Sequence, residues 1–379
     1  MSKTNNSIWF WQRMVTPHMV ALAAALAERG FKVNYVANEN LSKERTKLGW
    51  KMPELGKVKL LLAPNKDTVI RYALNAPKES IHLCQGLRGN GLVSYAQRVI
   101  RKRGLSHWAM METVDDTGWI GFIRKALYRI LSLYWRNHLT GVLAIGRKAP
   151  EWFVARGMER RLVYPFAYFL KEPTISNLLN SSIKKNKKRP FRFIYVGNLS
   201  YNKKVSLIIK AIAALELQEI EFWIVGAGVR NNTEEQRLRS LSNLLLPKKV
   251  FWLGVLPIKQ ISNVMLKADC LVLPSLHDGW GAVVSEALMV GTPVVCSDKC
   301  GSSAVVEASG VGSVFSTNNQ KALMDSLNNQ YEKGLVSSKQ RQKIMKWSRC
   351  LGASSGAKYL ESILNFKNNK VNLIKLPWN

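Results

Sequence analysis

Residues 273–298 read LPSLHDGWGAVVSEALMVGTPVVCSD, and this stretch decides the fold. An apolar run, Cys270–Leu273, leads into a loop carrying Asp278-Gly279-Trp280-Gly281. A helix-length segment, Ala282–Val290, and a second apolar run, Pro293–Cys296, follow. Strand, glycine-bearing loop, helix and strand in this order make a parallel crossover unit. In open parallel sheets ligands bind beyond the carboxyl ends of the strands, so the loop from Ser275 to Gly281 is where chemistry is expected. Gly279 and Gly281 let the backbone approach a phosphate, and the first N–H groups of the helix offer donors and a favourable dipole. Glu286 lies about one turn into the helix, where its carboxylate can accept hydrogen bonds from both hydroxyls of a ribose. Asp278 can do the same for the hydroxyls of a sugar.

The same rhythm extends on both sides of this unit. Strand candidates fall at Phe191–Val196, Ile220–Val225 and Val250–Leu253, with amphipathic segments at Val205–Leu215, Glu234–Leu245 and Lys259–Lys267 between them. Their strand ends carry Gly197-Asn198-Leu199-Ser200-Tyr201-Asn202-Lys203-Lys204 and Gly226-Ala227-Gly228. Lys203 is suited to neutralising a diphosphate, with Lys204 as a helper. Taken singly, a Gly-x-Gly is usually a tight turn and a lysine usually a solvated one. Their occurrence in order on successive strand ends gives them weight.

The run from Phe191 to about Phe315 resembles the donor domain of family 4 glycosyltransferases, which have the GT-B fold: two Rossmann-like parallel-sheet domains facing each other across a cleft. The resemblance rests on two acidic residues separated by seven, Asp278 and Glu286, with Gly-aromatic-Gly after the first. Gly254, Ala268-Asp269 and Gly310-Val311-Gly312 also fit. It implies a retaining transferase that moves a hexose-type sugar from a nucleotide-sugar donor. Glu286 would hold the ribose and Asp278 would face the reacting carbon, while Gly279, Trp280 and Gly281 would serve the sugar or its phosphate. Gly197, Asn198, Lys203, Lys204, Gly226, Gly228 and Ser275 would complete the donor site. Two departures stand out: Asp278 replaces the usual Glu, and Asn198 replaces an Arg in the phosphate loop. No Asp-x-Asp occurs, so neither a metal nor any other cofactor is expected, the nucleotide-sugar being a substrate.

The N-terminal half resembles the family more weakly. Ile8–Trp11 and Lys32–Ala37 read as strands around an alanine-rich helix, His18–Arg29, with Thr16 as its cap, Pro17 at its first position and Gly30 at its end. Val58–Ala63 and Ser80–Cys84 continue the pattern. His18 is placed to steer or deprotonate an acceptor hydroxyl, titrating near neutral pH, and makes a third catalytic candidate beside Asp278 and Lys203. Glu112, ending the strand-like His107–Met111, is a second acceptor-side candidate. In WIGFIRKALYRILSLYWRNH, residues 119–138, an apolar face of Ile120, Ile123, Leu127, Ile130, Leu131 and Tyr134 opposes Lys125, Arg129 and Arg136, with Trp119 and Trp135 flanking. Such a helix suits a lipid headgroup layer; packing on the N-terminal sheet is the competing reading.

Composition agrees with work at an anionic surface. The 379 residues carry 56 Lys and Arg against 25 Asp and Glu, a net charge of +31. That charge draws the chain to polyanions, and a nucleic-acid-binding protein is the alternative it raises. No nucleic-acid-binding motif accompanies it, so nucleic acid is not expected as a partner. An inactive membrane partner of another transferase is a further alternative. Five cysteines, mostly within apolar runs, point to a reducing compartment, and Cys296 and Cys300 read as small buried hydrophobes. Without a signal-peptide pattern or an apolar stretch of about 18 residues, the chain is expected in the cytoplasm, resting on the inner face of the cytoplasmic membrane. There it would use a UDP-sugar rather than GDP-mannose on a lipid-linked saccharide acceptor, in cell-surface polysaccharide or lipopolysaccharide synthesis. The expected domains are 1–170, a linker over 171–190, a donor domain over 191–345, and over 346–379 a helix crossing back to the N-terminal domain plus a basic tail.

Overall fold

The computed structural model describes residues 7–42, 45–46, 50–173, 189–228, 233–365 and 374–379. Most of the expected linker, and the 366–373 part of the basic tail, lie outside the described residues. The strands are β1 (Ser7–Met14), β2 (Lys32–Glu39), β3 (Lys59–Leu62), β4 (Ile81–Gln85), β5 (Ser106–Glu112), β6 (Gly141–Ile145), β7 (Val163–Phe166), β8 (Phe191–Val196), β9 (Ile220–Val225), β10 (Val250–Gly254), β11 (Cys270–Leu273), β12 (Val294–Ser297) and β13 (Ser313–Phe315). They form two parallel sheets, ordered β3-β2-β1-β4-β5-β6-β7 and β10-β9-β8-β11-β12-β13. Both are α/β sheets with helical crossovers, as the alternating pattern implied. Register is fixed by burial: Leu271 pairs with Val294 and Val272 with Val295, all fully buried. A one-residue slip would exchange the two faces of every side chain.

Strand order reverses at β1/β4 in the first sheet and at β8/β11 in the second. Loops leaving such neighbours diverge and open a crevice between them. The Gly197–Lys203 and Ser275–Gly281 segments, after β8 and β11, therefore flank the crevice of the second domain. Within the second domain, buried Asp269 pins the chain entering β8. It accepts from both guanidinium nitrogens of Arg189, from the Arg192 N–H and from the Val336 N–H, with Arg341 alongside.

The domains are tied together at one end. Two helices, Ser338–Trp347 and Ala353–Asn365, are separated by a tight turn over Ser348–Leu351. The second packs against the Pro17–Glu28 helix, where Arg29 donates to Glu361 at 2.7 Å. Leu170 and Ala353 are joined by a backbone bond of 2.8 Å. Two expectations of the first domain need correction. Thr16 holds the N-cap position, but its side chain makes no capping bond.

The Gly118–Trp135 helix also differs from expectation. It turns Gly121, Tyr128, Ser132 and Trp135 inward. Gly121 lets it approach the Asp116 backbone so closely that an added Cβ would lie 2.1 Å from the carbonyl carbon. Trp135 is thus a core residue, edge-on to His107 at 5.1 Å, and not an interfacial flank. Trp119, Ile120, Phe122, Ile123, Ile130 and Tyr134 remain exposed, Trp119 by 77%. Among the described residues no helix is long and apolar enough to cross a membrane.

Candidate active site

The loops after β8, β9 and β11 meet at backbone distance. A Cβ on Gly226 would fall 1.8 Å from the Gly197 carbonyl oxygen, so only glycine permits the approach. Asn202 stitches the first and third loops together, its side chain donating to the His277 carbonyl at 2.7 Å while its own carbonyl accepts from the Leu276 N–H at 2.8 Å. This holds Lys203 over Asp278, with which it forms an ion pair. Ser275, buried, directs its hydroxyl to the same carboxylate at 3.4 Å. A lysine ammonium has three donors, so two remain for an incoming anion.

Gly281 caps the Ala282–Met289 helix at φ +80°. The first N–H groups of that helix have no acceptor within it and carry its positive dipole end. About one turn on, the Glu286 carboxylate makes no hydrogen bond or ion pair among the described residues. Burial pushes its pKa up to about 7. A partly buried carboxyl without a partner is costly for the protein alone. A ligand bearing hydroxyl donors relieves that cost.

The facing domain supplies Glu112, His18 and Tyr168. Glu112 ends β5 and lies directly against the second domain, where a Cβ on Gly279 would be 2.0 Å from its Oε2. Burial, then the Asp278 charge, raise its pKa to about 7, opposed by a hydrogen bond from Tyr168 and the charge of Lys203. His18 packs against Tyr168 with ring centroids 4.2 Å apart and planes tilted by 35°. It does not titrate near neutral pH: burial and the charge of Arg45 lower its pKa to about 4, so it is an uncharged imidazole at pH 7. Below the cleft floor Gly146 abuts the Gly279 and Gly301 backbones, and the Arg147 N–H donates to the Gly301 carbonyl at 2.8 Å.

The structure therefore brings Gly197, Lys203, Gly226, Ser275, Asp278, Gly279, Gly281 and Glu112 together, with His18 one ring away. Other candidates are otherwise engaged. The Trp280 indole is buried beneath its loop, donating to Ser285 Oγ at 3.3 Å, so only its backbone can face a ligand. Asn198 accepts from the Ser200 hydroxyl at 2.9 Å, and Lys204 lies over the Tyr201 ring at 3.8 Å. The Gly228 N–H is occupied by Glu235 at 2.9 Å. The sequence reading missed Tyr168, Gly146 and His277, whose ring meets Thr113 across the domain boundary at 3.3 Å. Gly146, which follows the buried run of β6, is the one with a local signal.

Residues 179–348 match the family model described as glycosyl transferases group 1. The matched residues include all six strands of the second sheet. The chain's relatives include an uncharacterised glycosyltransferase of Methanocaldococcus jannaschii, 31% identical over 27% of this chain and 26% of that one. The putative teichuronic acid biosynthesis glycosyltransferase TuaC of Bacillus subtilis is 31% identical over 30% of this chain and 26% of that one. The matched region spans about a quarter of the length of these relatives. Among solved structures, Anabaena HepE in complex with UDP superposes with a TM-score of 0.73 at 14% identity, covering 94% of this chain and 99% of that one. The lipopolysaccharide outer core galactosyltransferase WaaB gives 0.67 at 15%, covering 94% and 99%. At these identities the likeness is one of fold, and the fold is GT-B.

Proposed function

We propose that the protein transfers a sugar from a nucleoside-diphosphate sugar to a saccharide acceptor, the donor lying on the second domain and the acceptor entering from the first. The observation that carries this reading is the open carboxylate of Glu286 on a helix whose free N-terminus adjoins the Lys203–Asp278 pair. These groups match the parts of such a donor in order: ribose hydroxyls, diphosphate, sugar. Nucleic-acid binding driven by charge alone leaves that arrangement without a use.

Catalysis in this account rests on charge stabilisation. As the bond to the anomeric carbon breaks, negative charge develops on the departing diphosphate, and Lys203 with the Ala282–Met289 helix terminus is positioned to stabilise it. No metal is invoked. The carboxylate of Asp278 faces the sugar, and transfer with retention is expected. Neutral His18 and Glu112, with a pKa about 7, stand on the acceptor side as proton acceptors or orienting groups.

The acceptor is proposed to be lipid-linked and to be met on an anionic membrane, within cell-surface polysaccharide synthesis. The exposed apolar face of the Gly118–Trp135 helix, beside Lys125, Arg129 and Arg136, supports that reading. UDP-sugar is proposed as the donor in preference to GDP-mannose.

The test is release of nucleoside diphosphate from UDP-glucose, UDP-galactose and GDP-mannose, with and without EDTA. EDTA-insensitive turnover of a UDP-sugar, lost in Asp278→Ala, is expected. No turnover or binding of any nucleotide-sugar contradicts the proposal.

A further inference from the structure

In the Asp278–Gly281 turn the Asp278 carboxylate is held by Lys203 and Ser275, and Trp280 is the side chain that reaches into the core beneath, its neighbours Gly279 and Gly281 having none. The anchoring indole is only 2% exposed. Above it the turn faces the cleft; beneath it the indole meets Ser285 Oγ and the ring of Trp378, with centroids 6.0 Å apart and planes at 46°. Trp378 belongs to segment 374–379, distant in sequence from the turn and from the remainder of the second domain. It is 9% exposed, and Ile374 and Leu376 of the same segment pack on the common core.

Trp378 also touches Phe169, at 6.4 Å and 39°, where the chain leaves the first domain. Phe169 is itself immobilised. A Cβ on Gly356 would lie 2.2 Å from its Cγ, and Tyr359 packs beside it at 6.4 Å. A continuous row therefore runs from the first domain through Phe169 and Trp378 to Trp280 and the turn that faces the donor.

We infer that Trp378 is a positioning residue for the donor-facing turn: it fixes Trp280, and through it the Gly279–Gly281 backbone, relative to the first domain. The inference rests on the donor site proposed above. Removing the Trp378 ring opens a void directly under Trp280. Backbone bonds from the Gly301 and Ser302 N–H groups to the Asp278 and Trp280 carbonyls, at 2.9 and 2.8 Å, still hold the turn, and its two glycines are where it yields, since glycine has the least restricted backbone. The diphosphate and sugar contacts lose their alignment, while the nucleoside, held at Glu286, does not.

The experiment compares binding of UDP, UDP-glucose, GDP and uridine to the full chain, its Trp378→Ala and Trp378→Phe variants, and Glu286→Ala. Trp378→Ala is expected to weaken the preferred nucleoside diphosphate about tenfold and leave uridine unchanged. An aromatic pair contributes about that much beyond its area. Trp378→Phe, which keeps a ring in place, is expected to stay within about threefold of wild type. Three results overturn the inference: Trp378→Ala binding UDP like wild type even with a lowered melting temperature; equal losses for UDP and uridine; or Trp378→Phe as impaired as Trp378→Ala. If wild type binds no nucleotide at all, the donor site falls first and this inference with it. If only Glu286→Ala is impaired, the donor site stands and the role of Trp378 is refuted.

Discussion

Replacing Gly279 by alanine probes the contact between the two domains with a single methyl group. Its backbone is not in the left-handed region, so the substitution carries no conformational penalty of its own. The cost is steric. The new Cβ would lie 2.0 Å from Glu112 Oε2 and 2.7 Å from Glu112 Cβ, whereas ordinary contact begins at 3.4 Å. The carboxyl end can swing away, but the Cβ is fixed to β5, so the domains themselves must part. Overpacking of this kind costs about 1–3 kcal/mol, and a misplacement of about 1 Å at a reacting centre can cost a hundredfold in rate. Gly279→Ala is therefore expected to slow sugar transfer at saturating donor by about a hundredfold and to reduce unfolding stability by that same steric cost. A double-mutant cycle supplies the check, because neighbours in contact are not additive. In a Glu112→Gly background, which removes the Cβ together with the carboxyl, the same substitution is expected to lose most of its effect on stability. Wild-type rate and melting temperature in Gly279→Ala, or an undiminished loss in the double variant, would refute the reasoning.

Three further outcomes follow from the structure. Lys203→Met removes the cation proposed to face the diphosphate and strands the Asp278 carboxylate. Turnover at saturating donor is expected to fall by about 10²–10³-fold, as for loss of one oxyanion donor, and a steady-state assay of donor consumption measures it. His82 and His107 are buried, and their pKa values are lowered to about 3. Below about pH 6.5 the unfolded chain binds protons that the native one refuses, so stability is full above that value and falls toward pH 3 by about 1.4 kcal/mol per unit for each group. Urea titrations at pH 7 and pH 5 read this slope, and His107→Leu, which removes a ring with no hydrogen-bond partner among the described residues, is expected to flatten it. Replacing exposed Trp119, Phe122 and Ile123 together by serine is expected to abolish sedimentation with anionic vesicles and leave the melting temperature unchanged; undiminished sedimentation contradicts the membrane reading.

Much of the second domain was legible because its strands are short, mostly apolar and bracketed by glycine or polar loops. Phe191–Val196, Ile220–Val225 and Cys270–Leu273 begin and end where the pattern places them. The Asp278 turn was legible for the same reason, a strand end followed at once by a helix. The orientation of the Gly118–Trp135 helix was not. Periodicity identifies an apolar stripe, but this helix docks through the small residues Gly121 and Ser132 and through Tyr128 and Trp135, leaving most of its aliphatic stripe outside. Close approach of backbones governed the packing there. The titration of His18 was misjudged because its burial under Tyr168 is a tertiary fact. So is the Glu112–Gly279 contact, made between residues from opposite halves of the chain.

The central claim is that Glu286 holds the ribose of a nucleotide donor. Calorimetric titration at pH 8, where a carboxyl of pKa about 7 is ionised, tests it with UDP and 2′,3′-dideoxy-UDP against wild type and Glu286→Ala. Hydrogen bonds to a charged group are worth about 1.5–3 kcal/mol. Wild type is therefore expected to prefer UDP over the dideoxy analogue by tenfold or more, with affinity for UDP-glucose falling as pH drops below about 7. Glu286→Ala is expected to bind both nucleotides equally and weakly. Equal binding of the two by wild type, or a preference that survives in Glu286→Ala, would contradict the account.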